Sequence, residues 1–346
     1  MKLFYGVQGT GNGHISRART MARELYAAGI EVDFLFTGRA SDAYFDMDIF
    51  RNYQTRPGLT FAVHKGNVNF LQTGINSHPK QFFQDKAALD LSKYDLVISD
   101  FEPLTSWAAK HQGKTVLGIG HQYAFDYPIP KKGYNPLAAN ILKYFAPVSI
   151  GIGLHWQQFG QPILPPVIDT PELSATIIKN KIIVYLPFEE LEDICKLLQP
   201  FTEYDFHVYC NEPKPTAHSH IQCHPLSREK FQRDWADAIG IISNAGFELA
   251  SESLRAGKKI LAKPLHSQME QASNAFALQH LGFGQTMYEL EQQTLANWLD
   301  DQRAVQVTYP NVAAKIVQWM LEGMPPLAHN FIASVWDEVN VLRIRY

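Results

Sequence analysis

Residues 2–14 read KLFYGVQGTGNGH, an apolar run that passes directly into a glycine-rich turn. Residues 15–28 then place Ile15, Ala18, Met21, Ala22, Leu25 and Ala28 at helical spacing. Strand, glycine turn and helix in that order form the opening unit of an α/β sheet, with the turn at the sheet edge where such folds bind ligands. Glycine there lets a ligand approach the backbone, and the helix start offers unpaired amides and a positive dipole end, so Gly11 and Gly13 are assigned to an anion-contacting turn. A dinucleotide fingerprint would need glycine where His14 stands. It would also need an acid at the end of the second strand, whereas Asp33 lies inside it, so a dehydrogenase is disfavoured.

Outward from this unit, Val32–Phe36, Asp95–Ser99 (DLVIS) and Lys114–Ile119 (KTVLGI) read as further strands with helical patterns between them. Pro162–Pro171 breaks the alternation. It restarts with strands at Lys181–Leu186, Asp205–Tyr209, Ala238–Ile242 and Lys259–Ala262, and helices at Leu191–Leu198 and Phe247–Ala256. This predicts two doubly wound parallel sheets. The expected division is an N-terminal domain over 1–168, a C-terminal domain over 169–326, and a terminal segment over 327–346. In that segment apolar residues at 331, 332, 335, 336, 339 and 342 form a helical stripe expected to cross back onto the first domain.

Bulk properties fit this plan. The 346 residues suit two cores, and 46% hydrophobic against 19% charged residues leaves ample apolar material to bury. A formal net charge of −3 without basic runs excludes a partner held by phosphate-backbone electrostatics, so no nucleic acid is expected. Three cysteines, Cys195, Cys210 and Cys223, form no CxxC pair, which indicates neither a disulfide framework nor a zinc knuckle. The early glycines do not suit a signal peptide, and Pro136–His155 is too polar to span a bilayer. A cytoplasmic protein is expected, with peripheral contact at the inner membrane face left open.

Two turns carry the candidate chemistry. His14, at the sheet edge, can take a proton from a hydroxyl, and Asp100, ending DLVISD, can orient its imidazole, as in a His-Asp base. Each has a plain structural alternative: His14 as a helix cap, Asp100 as the N-cap of a helix starting near Pro103. The second turn, Ser243 through Ser253 (SNAGFELASES), again runs from strand through glycine into helix, so the amides around Asn244, Ala245, Gly246, Phe247 and Glu248 can receive a diphosphate. Glu248 and Glu252 share a helix face. The following loop brings Gln268, Glu270, Gln271 and Asn274, donors and acceptors suited to sugar hydroxyls. Asp46-Met47-Asp48 is the one DxD, but it lies in an apparently helical stretch, Ser41–Tyr53, with no third acid nearby, so no metal is assigned. Phe70, Phe82, Phe83, Tyr123, Phe125 and Tyr127 suit stacking on a sugar or lipid, or simply a core.

In order and spacing these turns resemble the inverting glycosyltransferases that include the natural-product glycosyltransferases and the peptidoglycan N-acetylglucosaminyltransferase. Residues 5–18, YGVQGTGNGHISRA, are most similar to a poorly characterised bacterial and archaeal branch of that superfamily. The resemblance covers nearly the whole chain. It implies the GT-B type of fold, two Rossmann-like domains facing a cleft, with His14 as general base and Asp100 as its partner. It also implies that Gly246 and Glu252 contact diphosphate and ribose, and that Glu270, Gln271 and Asn274 line the sugar, with Gln268 and Gln271 as rivals for one contact. Asn244 replaces a His common in relatives, and KIIVYLPFEE lacks a glycine-rich turn some relatives have. The implied reaction moves a sugar from a nucleotide donor, first of all a UDP-sugar, to a hydroxyl of a glycan, lipid or cell-envelope precursor, with no metal or other cofactor. A nucleotide-sugar hydrolase, an epimerase and a sugar-nucleotide-binding regulator are the alternatives; oligomeric state is not encoded legibly.

Overall fold

In a computed structural model that describes residues 1–59, 63–64, 67–68, 79–133, 140, 143–168, 176–266 and 268–346, β1 (Lys2–Gln8) is the middle strand of a parallel sheet. Every residue of β1 after Lys2 is buried, which is why it reads as an unbroken apolar run. The sheet order is β3-β2-β1-β6-β7-β8-β9, where β2 is Glu31–Thr37, β3 Tyr53–Arg56, β6 Leu96–Asp100, β7 Val116–Gly120, β8 Ile150–Leu154 and β9 Ile163–Leu164. Two short antiparallel strands, β4 (Val63–His64) and β5 (Asn67–Val68), form a separate ribbon. Helices α1 (Asn12–Ala27), α2 (Pro79–Ala88) and α3 (Pro103–His111) fall within this half.

The second sheet is also parallel, in the order β12-β11-β10-β13-β14-β15, with β10 Ile178–Tyr185, β11 Asp205–Cys210, β12 Ile221–Pro225, β13 Ala238–Asn244, β14 Lys259–Lys263 and β15 Gln285–Thr286. Its helices are α4 (Leu191–Leu198), α5 (Arg228–Asp237), α6 (Phe247–Arg255), α7 (Met269–His280) and α8 (Gln292–Asp300). The expected pair of doubly wound parallel sheets is thus present. In each sheet the strand order reverses beside the first strand, between β1 and β6 and between β10 and β13. Such switch points open crevices at the carboxyl ends of the strands. His14 follows β1 and Asp100 ends β6, whose register pairs Val7 with Asp100. Gly246 follows β13.

A single apolar cluster joins the halves, running from Leu3, Ile15 and Met21 through Phe247, Ala250 and Leu254 to Ile316 and Trp319. Helix α1 is its spine and packs on both α6 and α9 (Val312–Leu321). The N-terminus of α1 is thereby fixed against the second half of the chain.

Three expectations are corrected. The stripe over 331–342 is not one helix: α10 (His329–Trp336) ends there, and β17 (Asn340–Arg345) pairs antiparallel with β16 (Arg303–Thr308). The residues Val341, Leu342 and Ile344 can satisfy a helical stripe or a strand, and the open edge of β16 decides for the strand. Helix α10 does reach the first sheet, where the Trp336 indole donates to the Ile163 carbonyl at 2.7 Å. Residues 41–53 form two 3-10 turns, Ser41–Ala43 and Asp48–Phe50, rather than a helix, with Asp46 at a positive φ of 52°. Asp100 caps no helix; Glu102 caps α3, accepting from the amides of Leu104 at 2.8 Å and Thr105 at 2.6 Å. The proposed linker is described only to Ile168, and Phe70 and Ser267 lie outside the described residues.

Candidate active site

The two glycine turns meet. Gly13, in the first turn of α1, faces α6 so closely that a Cβ there would stand 2.7 Å from Glu248 Cγ, so only glycine fits. At Gly246, by contrast, a Cβ would meet nothing within 4 Å. Neither α1 (N-cap Gly11) nor α6 (N-cap Gly246) has a side-chain cap, so both helix starts keep amides available for an anion.

His14 Nδ1 lies 2.7 Å from Asp100 Oδ1. Asp100 is fully buried, which alone would raise its pKa, yet the Arg17 guanidinium and His14 hold it below the usual carboxylate range. An ionised Asp100 only accepts, so Nδ1 carries the proton and Nε2 keeps its lone pair, the tautomer a general base needs. The His14 side chain is 16% exposed. Arg17 Nη2 is 3.0 Å from the same Nδ1, a packing contact between two donors.

Arg17 is the residue that sequence reasoning missed. It is 1% exposed and forks onto Asp100, with Nε to Oδ2 at 2.8 Å and Nη2 to Oδ1 at 2.5 Å. Its third nitrogen, Nη1, donates to Glu248 Oε1 across the two halves. The signal was its position three residues after His14, on the same helix face. Burial alone would lower the Arg17 pKa; Asp100 and Glu248 raise it above its ordinary value, so the guanidinium stays charged.

One cation thus serves two buried carboxyls. Asp100 takes the bidentate fork. Burial raises the Glu248 carboxyl to about 8 against the pull of Arg17, assisted by Glu252 and Asp100, so at neutral pH it holds its proton. Its Oε2 is buried without a protein partner. Because the folded-state value lies above the ordinary 4.5, the stability tied to this group is fully present below pH 4.5 and lost as pH rises toward about 8. Glu248→Gln, which imitates the neutral acid, is expected to flatten that loss. Chemical unfolding between pH 5 and pH 8 checks it, and an unchanged pH slope in the variant contradicts it.

The other expected residues separate into two groups. Glu252 stays at the seam, accepting from Ser16 Oγ at 3.3 Å, and Glu270 accepts from Gln122 Nε2 at 3.1 Å. The rest have structural duties. Asn244 donates to the Lys263 carbonyl at 3.0 Å, and its Oδ1 is buried without a partner. The Ala245 carbonyl accepts from Asn274 Nδ2 at 3.0 Å, and Asn274 Oδ1 lies 2.6 Å from His121 Nε2. Phe247 stacks on His121, with ring centroids 4.0 Å apart and planes 4° from parallel. The rivals Gln268 and Gln271 both turn inward: Gln268 accepts from the Gln271 amide at 3.3 Å, and Gln271 accepts from the Leu265 amide at 3.0 Å. Where a glycine-rich turn is lacking after β10, Glu189 pairs with the buried Lys263 at 2.7 Å. Asp46 accepts from Arg228 at 2.8 Å, an ion pair between the halves. Of the aromatics, Tyr123 and Phe125 are core residues, whereas Phe83 is 60% exposed. Among the described residues no helix is long and apolar enough to cross a membrane.

Two parallel-sheet domains whose α1 and α6 helix starts meet, with an imidazole-carboxylate pair on one and an uncapped helix start on the other, have the arrangement of a GT-B glycosyltransferase. A family model described as glycosyl transferase family 1 matches residues 1–302, and the chain belongs to that family. The solved structure of the Streptomyces sp. SF2575 glycosyltransferase SsfS6 is similar at 11% identity with a TM-score of 0.60, covering 87% of this chain and 91% of that one. It has also been solved with thymidine diphosphate. SnogD from Streptomyces nogalater matches at 14% identity and a TM-score of 0.58, over 97% of this chain and 99% of that one. Acinetobacter baumannii MurG matches at 14% and 0.51, over 97% and 94%. Among curated proteins none matches significantly by sequence.

Proposed function

We propose that this protein is an inverting glycosyltransferase whose second half, from residue 169, binds a nucleoside-diphosphate sugar, a UDP-sugar being the first candidate, while residues 1–168 hold a hydroxyl acceptor. The observation that carries this is the His14–Asp100 contact of 2.7 Å at the seam where α1 meets α6, the helix that the open turn at Gly246 begins. His14 Nε2 takes the acceptor proton as the hydroxyl oxygen bonds to the anomeric carbon. The bond from that carbon to the diphosphate oxygen breaks with its electron pair on the leaving group. Attack from the face opposite the diphosphate inverts the configuration. Amides at the start of α6 and the helix dipole meet the developing charge, which gives the leaving group stabilisation without a metal. The protonated Glu248 offers its hydroxyl as a donor at the seam between donor and base.

Incubation with a panel of UDP- and other nucleotide sugars, with and without hydroxyl acceptors, tests the reading. Acceptor-dependent release of the nucleoside diphosphate with a glycosylated product is expected. Release without acceptor indicates a hydrolase, an altered sugar an epimerase, and binding without turnover a regulator. Glu252→Ala is expected to weaken nucleotide binding about tenfold, the loss of one charge-assisted hydrogen bond of roughly 1.5 kcal/mol. Calorimetric titration with UDP reads it, and unchanged affinity removes Glu252 from the donor site.

A further inference from the structure

Outside the crevice, His207, His224 and Asp234 converge from three elements of the second half. Residues β11 and β12 pair in parallel with His207 opposite Gln222 and Tyr209 opposite His224, so alternation puts His207, Tyr209 and His224 on one sheet face. Helix α5, N-capped by Ser227, brings Asp234 onto that face. His207 Nδ1 is 3.0 Å from His224 Nε2 and 3.4 Å from Asp234 Oδ2. One donor atom from each residue lies within 4.8 Å of the other two.

We propose that these three side chains form a binding site for a late first-row divalent cation of the zinc class, tying β11, β12 and α5 together. A tetrahedral ion with ligands at about 2.0–2.2 Å sets its donor atoms roughly 3.3–3.5 Å apart, close to the spacings present. Two imidazoles and one carboxylate are a donor set that suits such ions, with the fourth position left to water.

The hydrogen bonding also supports the assignment. Two neutral imidazoles meeting nitrogen to nitrogen share a single proton, and the Asp234 carboxylate faces the same point. A cation entering there takes three lone pairs, and the shared proton moves to the other nitrogen of its own ring, so both imidazoles stay neutral. Lys181 Nζ holds the far oxygen of Asp234, Oδ1, at 2.9 Å, and Tyr209 Oη donates at 2.5 Å to Oδ2, the oxygen that faces His207, contacts of the kind that orient a ligating carboxylate. Lys181 is shared with Asp237 at 2.7 Å, and Lys230, 3.8 Å from Asp234 on the same helix, is 43% exposed and free to turn to water. None of the three ligands belongs to either glycine turn, so the site is structural and lies outside the transfer chemistry.

The full-length protein, freed of metal with a chelator and dialysed, is titrated with Co2+ and with Zn2+. Saturable binding of one equivalent is expected, with the visible spectrum of tetrahedral Co2+ bleached by Zn2+ and a raised thermal midpoint. His207→Ala and His224→Ala are each expected to abolish the cobalt spectrum while circular dichroism stays native. Absence of saturable one-equivalent binding to the unmodified protein overturns the proposal whether or not the variants fold. Retention of the spectrum in a folded His207→Ala, His224→Ala double variant overturns it equally.

Discussion

Arg17→Met is expected to destabilise the protein by about 3–5 kcal/mol, the cost of removing one partner from a buried charge network. Arg17 is the guanidinium that joins the buried Asp100 and Glu248, so its loss leaves Asp100 with His14 as its remaining charged partner among the described residues. The Asp100 pKa, now held low, then rises. With Arg17 present, the folded-state value lies below the ordinary one, so the stability it confers is in place at neutral pH and lost as pH falls through the folded-state value. In Arg17→Met that dependence reverses, and stability falls as pH rises instead. Urea unfolding from pH 4 to pH 8 measures both effects. Adding Asp100→Asn to Arg17→Met is expected to recover much of the loss, because the stranded charge goes with it. A loss under about 1 kcal/mol for the single variant would place it with exposed ion pairs and refute a buried network.

His14→Ala is expected to lower turnover by about 10²–10⁴-fold, the usual contribution of a positioned general base. Nucleotide affinity is expected to stay as in the unmodified protein, since the change removes a side chain and leaves the backbone amides of both turns in place. Stability is expected to change little, because the imidazole is partly exposed and Arg17 still neutralises Asp100. Single-turnover kinetics beside UDP titration separate the two quantities. Equal loss of turnover and affinity makes His14 a structural residue of the turn.

The legible parts of this fold were those fixed by local physics. A parallel strand buried on both faces must be apolar throughout, so KLFYGVQ and AIGIISN identify themselves, and the glycines that follow mark strand-to-helix turns. His14 was legible because it follows such a strand across a glycine turn, and Asp100 because it ends one. The partner choices between distant segments were not. Arg17 reads as one more polar residue on a helix, and only the docking of α1 on α6 brings Glu248, 231 positions away, to its third nitrogen. The same docking converts Glu248 from a surface acid into a buried, protonated one. Asn244, Phe247 and Asn274 sit in the expected donor motifs, yet Asn244 bonds to Lys263 and Asn274 to His121 and Ala245 because buried polar groups need partners, and Phe247 stacks on His121. At the C-terminus NVLRIR continues a stripe that suits either periodicity, and the vacant edge of β16 settles it.

A crystal structure of the protein soaked with UDP tests the central claim most directly. Electron density for the diphosphate on the amides that follow Gly246, in the crevice that His14 shares, is the expected result. A nucleotide bound elsewhere, with residues 14 and 246 both remote from it, would contradict the assignment of the two turns to one reaction.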